Sequence, residues 1–271
     1  MLPRTIAVNS NCYHGYSIEE AVHGIVAAGF HAIELTATKG WTEHVFPDMS
    51  LSRLLRTRRI LEEAGLTVVA MSGHVNLMDE ERIADFVDNI ELAHFLSAPV
   101  IVSSVGEAHL KDRTSAGDDL VASNIRSFLP LLEKYDMNLV LETHGEHGTA
   151  TRLASIVDLV SSPRVGICYD TANAIFYGDV KGVEDVEANA DLIDYVHIKD
   201  KAGERTEWNF PALGDGYVDF PSILSVLDRA GNHSPLSIEI EFTSCGAKDL
   251  AEVDDAVRRS GEYLRHLGYV L

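Results

Sequence analysis

The chain has 271 residues, 46% of them hydrophobic, and a formal charge of −20 at pH 7. Such a surface repels a nucleic-acid polyanion, so no nucleic-acid partner is expected, and no apolar run of about 18 residues is present to cross a membrane. The opening MLPRTIAVNSN lacks a basic stretch followed by an apolar segment, and the three cysteines (Cys12, Cys168, Cys245) are odd in number and widely spaced; the expectation is no signal peptide, no disulfide framework and a reducing cytoplasm.

Along the chain, short Val- and Ile-rich runs alternate with helical patterns. The runs predict strands over 5–9, 31–37, 67–74, 99–105, 138–144, 165–171, 194–200 and 235–242. Helices are predicted over 17–28, 50–64, 79–96, 118–135, 149–161, 182–191, 220–230 and 249–267. Ser17 with Glu20 reads as a capping box, and Gly29, Gly65 and Gly231 read as helix stops. Asp48, Asp79 and Asp249 near helix starts read as caps or first-turn charges.

Eight β–α units in this length predict one α/β domain over 1–271, a single (β/α)8 TIM barrel. The alternative, an open doubly wound sheet, lacks support because no glycine-rich dinucleotide turn follows the first strand. Two long βα connections, 106–117 and 201–219, are expected to shape the mouth of the barrel.

Four of the later strands carry a costly polar residue at or near their ends: Glu142 in NLVLETH, Asp170 in VGICYDT, His197 in DYVHIKD and Glu239 in PLSIEIEF. Side chains on a strand alternate with period two. Val140, Glu142 and His144 therefore share one face, as do Cys168 and Asp170, then Tyr195, His197 and Lys199, then Ser237, Glu239 and Glu241. The opposite faces of the last two strands are wholly apolar and suit outer helices. All four residues can thus converge at the C-terminal mouth of the barrel. Glu239 and Glu241 have equal parity, so periodicity does not choose between them. Taken singly, each residue has a plainer reading as a solvated, salt-bridged or hydrogen-bonded group; together they read as a metal site. Three oxygen donors and one nitrogen suit Mn²⁺ first, with Mg²⁺, Co²⁺ and Zn²⁺ as alternatives.

The stretches LVLETHGEHGT, GICYDTAN, DYVHIKDK, LGDGYVDFPSIL and PLSIEIEF resemble the xylose isomerase-like TIM barrels of the sugar phosphate isomerase/epimerase type. That group includes ketose 3-epimerases, inosose dehydratases, 3-dehydroshikimate dehydratases and, more distantly, endonuclease IV. The resemblance runs over the whole chain and is densest from 138 to 242. It implies Glu142, Asp170, His197 and Glu239 as metal ligands, choosing Glu239 over Glu241. It also implies Glu142 and Glu239 as the proton carriers. Two positions depart from the epimerases. Asn173 stands where they often carry histidine, and Arg205, eight residues past His197, is the nearest match to their arginine.

HGEHGT and HIKD resemble the dehydratase branch instead. His144 is then a general acid or base, or a hydrogen-bonded wall residue. Lys199 polarises a carbonyl, binds an anionic group, or forms a structural ion pair. His74, with Ser72 on its face, is expected to touch substrate. Glu34 is expected to do so too, with a structural ion pair as its alternative. Trp41, Trp208 and Phe210 are loop aromatics that stack on a sugar, form a subunit contact or fill a small loop core. Cys168 is expected to be core packing.

The expected function is a metal-dependent sugar isomerase or epimerase that abstracts a proton beside a carbonyl through a metal-stabilised enediolate. The alternative is a dehydratase or lyase on a keto-inositol or 3-oxo-sugar. A DNA endonuclease would need more ligands and a basic face, and a non-catalytic sugar-binding barrel would be expected to lose its proton carriers. The expected partner is a small sugar or polyol, with a homo-oligomer open.

Overall fold

The structure is a computed structural model, and it describes residues 3–112 and 114–271. Eight parallel strands close into a barrel. In order around it they are β1 (Ile6–Asn9), β2 (Ala32–Thr36), β3 (Thr67–Ser72), β4 (Val100–Ser103), β5 (Asn138–Glu142), β6 (Val165–Asp170), β7 (Ile193–Ile198) and β9 (Leu236–Ile238), which returns to β1. Between β7 and β9 the connection forms β8 (Asn209–Phe210), which pairs antiparallel with β10 (Phe242–Thr243) outside the barrel. Each barrel strand overlaps the hydrophobic run that predicted it, though the run 235–242 gives the barrel only Leu236–Ile238.

The period-two alternation sorts the residues into two layers. Ala70, Val102, Val140, Cys168 and Tyr195 fill the barrel interior. Leu139, Leu141, Val196 and Ile198 join the larger core between sheet and helices. Because each strand is buried on both faces, the strands read as nearly continuous apolar runs, as parallel sheets require.

The outer layer contains α1 (Ile18–Ala27), α2 (Leu51–Ala64), α3 (Ile83–Phe95), α4 (Asp118–Tyr135), α5 (Ala150–Val160), the short α6 (Thr171–Phe176), α7 (Val183–Asn189), α8 (Phe220–Arg229) and α9 (Leu250–His266). The capping box at the start of α1 is present in both directions between Ser17 and Glu20. Gly65 ends α2 at φ 68°, a left-handed conformation that a Cβ would strain. Asp249 caps α9 through the Glu252 N–H, and Asp79 caps a 3-10 turn ahead of α3. Asp48 is not a cap, because Ser50 accepts the Arg53 N–H at the start of α2.

Two local departures bear on the site. The predicted strand 235–242 leaves the barrel ladder after Glu239, whose N–H still donates to Ile198 O at 3.2 Å. The Glu241 N–H donates to Phe210 O instead, at 3.2 Å, and Phe242 takes φ 59°. The chain is thereby drawn toward the 201–219 connection. The second departure is α6, unpredicted because it is one turn and a half that starts directly on the strand-end Asp170.

Candidate metal centre

Glu142 and Asp170 are the last residues of β5 and β6, His197 is the penultimate residue of β7, and Glu239 follows β9 directly. All four are buried, and one potential ligand atom from each lies within 4.8 Å of the others. The residues that sequence facing brings to the barrel mouth are therefore clustered.

Each is held by a partner that turns it inward. Asp170 accepts the Ala172 and Asn173 N–H groups on one oxygen, Oδ1, at 2.9 and 2.7 Å. Its Oδ2 is left buried without a hydrogen-bond partner, as is Glu239 Oε2. The other Glu239 oxygen accepts from Asn11 Nδ2 at 2.8 Å. His197 Nδ1 lies 2.7 Å from Glu142 Oε1 and 3.2 Å from Glu239 Oε2. Its Nε2 faces Glu34 at 3.0 Å, and Glu34 in turn accepts from Ser72 Oγ at 2.5 Å.

The electrostatics favour a cation. Burial alone would depress His197, but Cys168, Glu34 and Glu239 overcome it and hold the imidazole well above its ordinary range. Burial drives Asp170 well above the carboxylate range, with Lys199 opposing only in part. Burial also pushes Glu142 up. For Glu239 burial is outweighed by Lys199 and His197, which hold it well below. Two carboxylate oxygens without a hydrogen bond, and negative charge enough to draw a proton onto the imidazole, fit a divalent cation at the centre, which would take that proton's place.

Lys199 is buried, with Nζ 2.8 Å from Glu241 Oε2 and 3.7 Å from both Asp170 Oδ2 and Glu239 Oε2. It stands 4.6 Å from the Phe210 ring centre. Glu241 thus lies beside the four-residue cluster, bound to Lys199 and Asn11. Lys199, His74, His144 and Asn173 line the same narrow recess as Glu142 and Glu239, where about 20 Å³ is open to water. His74 Nδ1 accepts the Ser104 N–H at 2.9 Å, so Nε2 carries the proton and faces Glu142 Oε2 at 4.0 Å. His144 is half-buried, with Nε2 3.4 Å from the Tyr177 hydroxyl. Burial, aided by His109 and Lys199, lowers it to about 3.

Two expected substrate contacts are not in reach. Glu34 is fully buried behind His197, both oxygens engaged by the imidazole, so it answers to the ion-pair alternative. Arg205 is exposed, pairs with Asp179 at 3.3 Å and donates to Phe176 O, away from the recess. An eight-residue offset from His197 carries it into the surface part of the 201–219 connection.

Sequence reasoning passed over Asn11 and His109. Asn11 sits in a 3-10 turn (Ser10–Tyr13) after β1. Its Oδ1 accepts from Trp41 Nε1 at 2.9 Å and Thr42 Oγ1 at 2.8 Å. His109 lies in the 106–117 connection and stacks on Trp41 at 4.1 Å, while Trp41 stacks on His14 at 3.8 Å. The polar NSN triplet at the first strand end was the available signal for Asn11; His109 had none, because loop stacking leaves no periodicity.

The family model described as "Xylose isomerase-like TIM barrel" matches residues 22–267. A curated relative, 3-oxo-isoapionate decarboxylase from Pectobacterium atrosepticum, is 33% identical over 105 residues, which is 36% of this chain and 38% of that protein. The fold matches that of D-allulose 3-epimerase from Methylomonas sp. with a TM-score of 0.74 at 19% identity, covering 97% of this chain and 98% of that one. It also matches a xylose isomerase-like TIM barrel protein from Mycobacterium smegmatis in complex with magnesium, with a TM-score of 0.74 at 17% identity, covering 98% of each chain. At these identities the structural likeness is one of fold.

Proposed function

We propose that this chain, which belongs to the xylose isomerase-like TIM barrel family, is a divalent-metal-dependent sugar isomerase or epimerase. The observation that carries this reading is the buried convergence of Glu142, Asp170, His197 and Glu239 with two carboxylate oxygens that lack a hydrogen bond. A cation held by these four would supply Lewis-acid polarisation of a substrate carbonyl. Mn²⁺ is the favoured ion for a donor set of three carboxylates and one imidazole, with Mg²⁺, Co²⁺ and Zn²⁺ as alternatives.

The chain's own groups divide the remaining work. Glu142 and Glu239 are carboxylates of opposite tendency, one raised by burial and the other held ionised by Lys199 and His197. Such a split suits one group accepting the proton beside the carbonyl and the other returning one. In epimerisation one of the two takes the proton from the carbon and the other returns one on the opposite face. His144, neutral, and Asn173 are wall groups able to bond substrate hydroxyls. His74 presents its Nε2 proton on the same wall.

A second reading is a lyase or dehydratase on a keto-inositol or 3-oxo-sugar. Lys199 favours it, as a buried cation lining the recess and able to stabilise a carboxylate or an oxyanion. The similarity of part of the chain to a decarboxylase points the same way. The first step is shared, and the readings part when a substituent leaves instead of a proton returning.

The test is NMR of Mn²⁺-loaded enzyme with ketoses, keto-inositols and 3-oxo-glucosides in D₂O, with Mn²⁺ chelated before acquisition. Deuterium beside the carbonyl with an epimer or isomer appearing is the expected result. An elimination or decarboxylation product would move the protein to the second reading. No exchange and no product across the panel would count against both.

A further inference from the structure

Next to the reaction recess lies a second chamber of about 480 Å³. Trp41, His109, Trp208 and Glu241 line both spaces. The outer side of the chamber is formed by Ile240 and Phe242 and by the 243–247 turn after β10. Its inner wall is the three-ring stack His14–Trp41–His109, with Trp208 set edge-on to His109 at 6.4 Å. No Lys or Arg is among the described residues that line it. The one carboxylate, Glu241, is tied to Lys199.

This wall is built in one piece with the reaction site. Asn11 accepts from Trp41 Nε1 on its carbonyl oxygen and donates from its amide nitrogen to Glu239 and Glu241. A single side chain thus fixes both the aromatic surface of the chamber and a carboxylate of the metal cluster.

The recess alone, at about 20 Å³, is far tighter than the chamber beside it. Trp41 has both faces covered by His14 and His109, so the chamber is an apolar space edged by aromatic rings; it suits an uncharged group through apolar burial and offers a phosphate no Lys or Arg. We infer that the chamber is a second subsite, which takes an uncharged, largely apolar group joined to the reacting sugar. The substrate class is then an oxo-glycoside, which keeps a ring carbonyl beside the carbon that loses its proton, rather than a free or phosphorylated monosaccharide. This inference rests on the recess being the reaction site, and it names the substrate class of that site.

The chain's two tryptophans, Trp41 and Trp208, both line the chamber, so their emission reports its occupancy without turnover. The Mn²⁺-loaded full chain would be titrated with phenyl β-D-glucopyranoside and, separately, methyl β-D-glucopyranoside. The expected result is a saturable emission change with the phenyl compound, bound about five-fold or more tighter than the methyl compound. Ala247→Phe, which fills the chamber from its outer turn, should abolish that preference. Trp208→Leu removes one aromatic wall, keeps Trp41 as reporter, and should reduce the preference even if the first variant fails to fold.

Equal affinity for the two glucosides, or no saturable change with the phenyl compound, would overturn the subsite. A preference that survives both substitutions would overturn it as well. The proposed reaction is read separately, by deuterium exchange. Ring preference without exchange would keep the subsite and remove the reaction, and exchange without preference would do the reverse.

Discussion

His197 presents its two ring nitrogens to different tasks: Nε2 faces Glu34 at 3.0 Å, while Nδ1 lies 2.7 Å from Glu142 at the centre of the cluster. A carboxylate behind a metal-binding imidazole fixes the tautomer and the ring orientation, and makes the facing nitrogen a better donor. Glu34→Gln should therefore weaken metal affinity by roughly 10–100-fold while leaving all four proposed ligands in place. Competition with a chelator of known affinity measures this. Wild-type affinity in the variant would remove Glu34 from the site's support.

His144 lines the recess but is outside the four-residue cluster. His144→Ala should keep full metal content and lower turnover by about 10²–10⁴-fold if the imidazole moves a proton. Metal analysis alongside kinetics separates the cases. Loss of metal would make it a ligand or a ligand's support, and unchanged turnover would leave it a wall residue.

His44 gives a pH test away from the metal. It is buried in the connection after β2, its Nε2 3.1 Å from Tyr16 O. Burial lowers it to about 4, whereas an unfolded histidine titrates near 6.5. The unfolded chain therefore takes up a proton that the folded chain refuses, and stability from this group falls as pH drops below about 6.5. At pH 5 the loss is about 2 kcal/mol relative to pH 8. His44→Gln keeps a donor for Tyr16 O and removes the titration. Urea unfolding at pH 8 and pH 5 should show a smaller pH-dependent loss in the variant; an equal loss would contradict the assignment.

The three cysteines should differ in reactivity. Cys12 and Cys168 are buried, and burial raises both thiols, Cys168 to about 12. Cys245 is exposed. Iodoacetamide should label Cys245 alone in the native protein, as read by peptide mass spectrometry. Native labelling of Cys168 would mean that the barrel interior opens.

The barrel was legible because each of its strands is buried on two faces and bounded by turn residues, so hydrophobic runs marked it directly. The facing of Val140, Cys168 and Tyr195 followed from period two, and it also placed Glu142, Asp170, His197 and Glu239 on one side. What could not be read lies beyond the strand ends. Glu241 keeps the parity of Glu239, yet the chain leaves the ladder between them, and its partner became Lys199. Arg205 lies outside the recess and Glu34 behind it, and only long-range packing separates such residues from those that line it. Asn11 bonds to residues 30 and 228 positions away, a relation with no local pattern.

Glu142, Asp170, His197 and Glu239 are proposed to hold one divalent cation together. The most direct measurement is Mn²⁺ stoichiometry by equilibrium dialysis and elemental analysis, on the wild-type chain and on Asp170→Asn and Glu239→Gln, with folding checked by circular dichroism. One tightly bound ion per wild-type chain is expected, with its loss, or a large weakening, in both folded variants. A wild-type chain that retains no ion, or folded variants that bind it as tightly as the wild type, would contradict it.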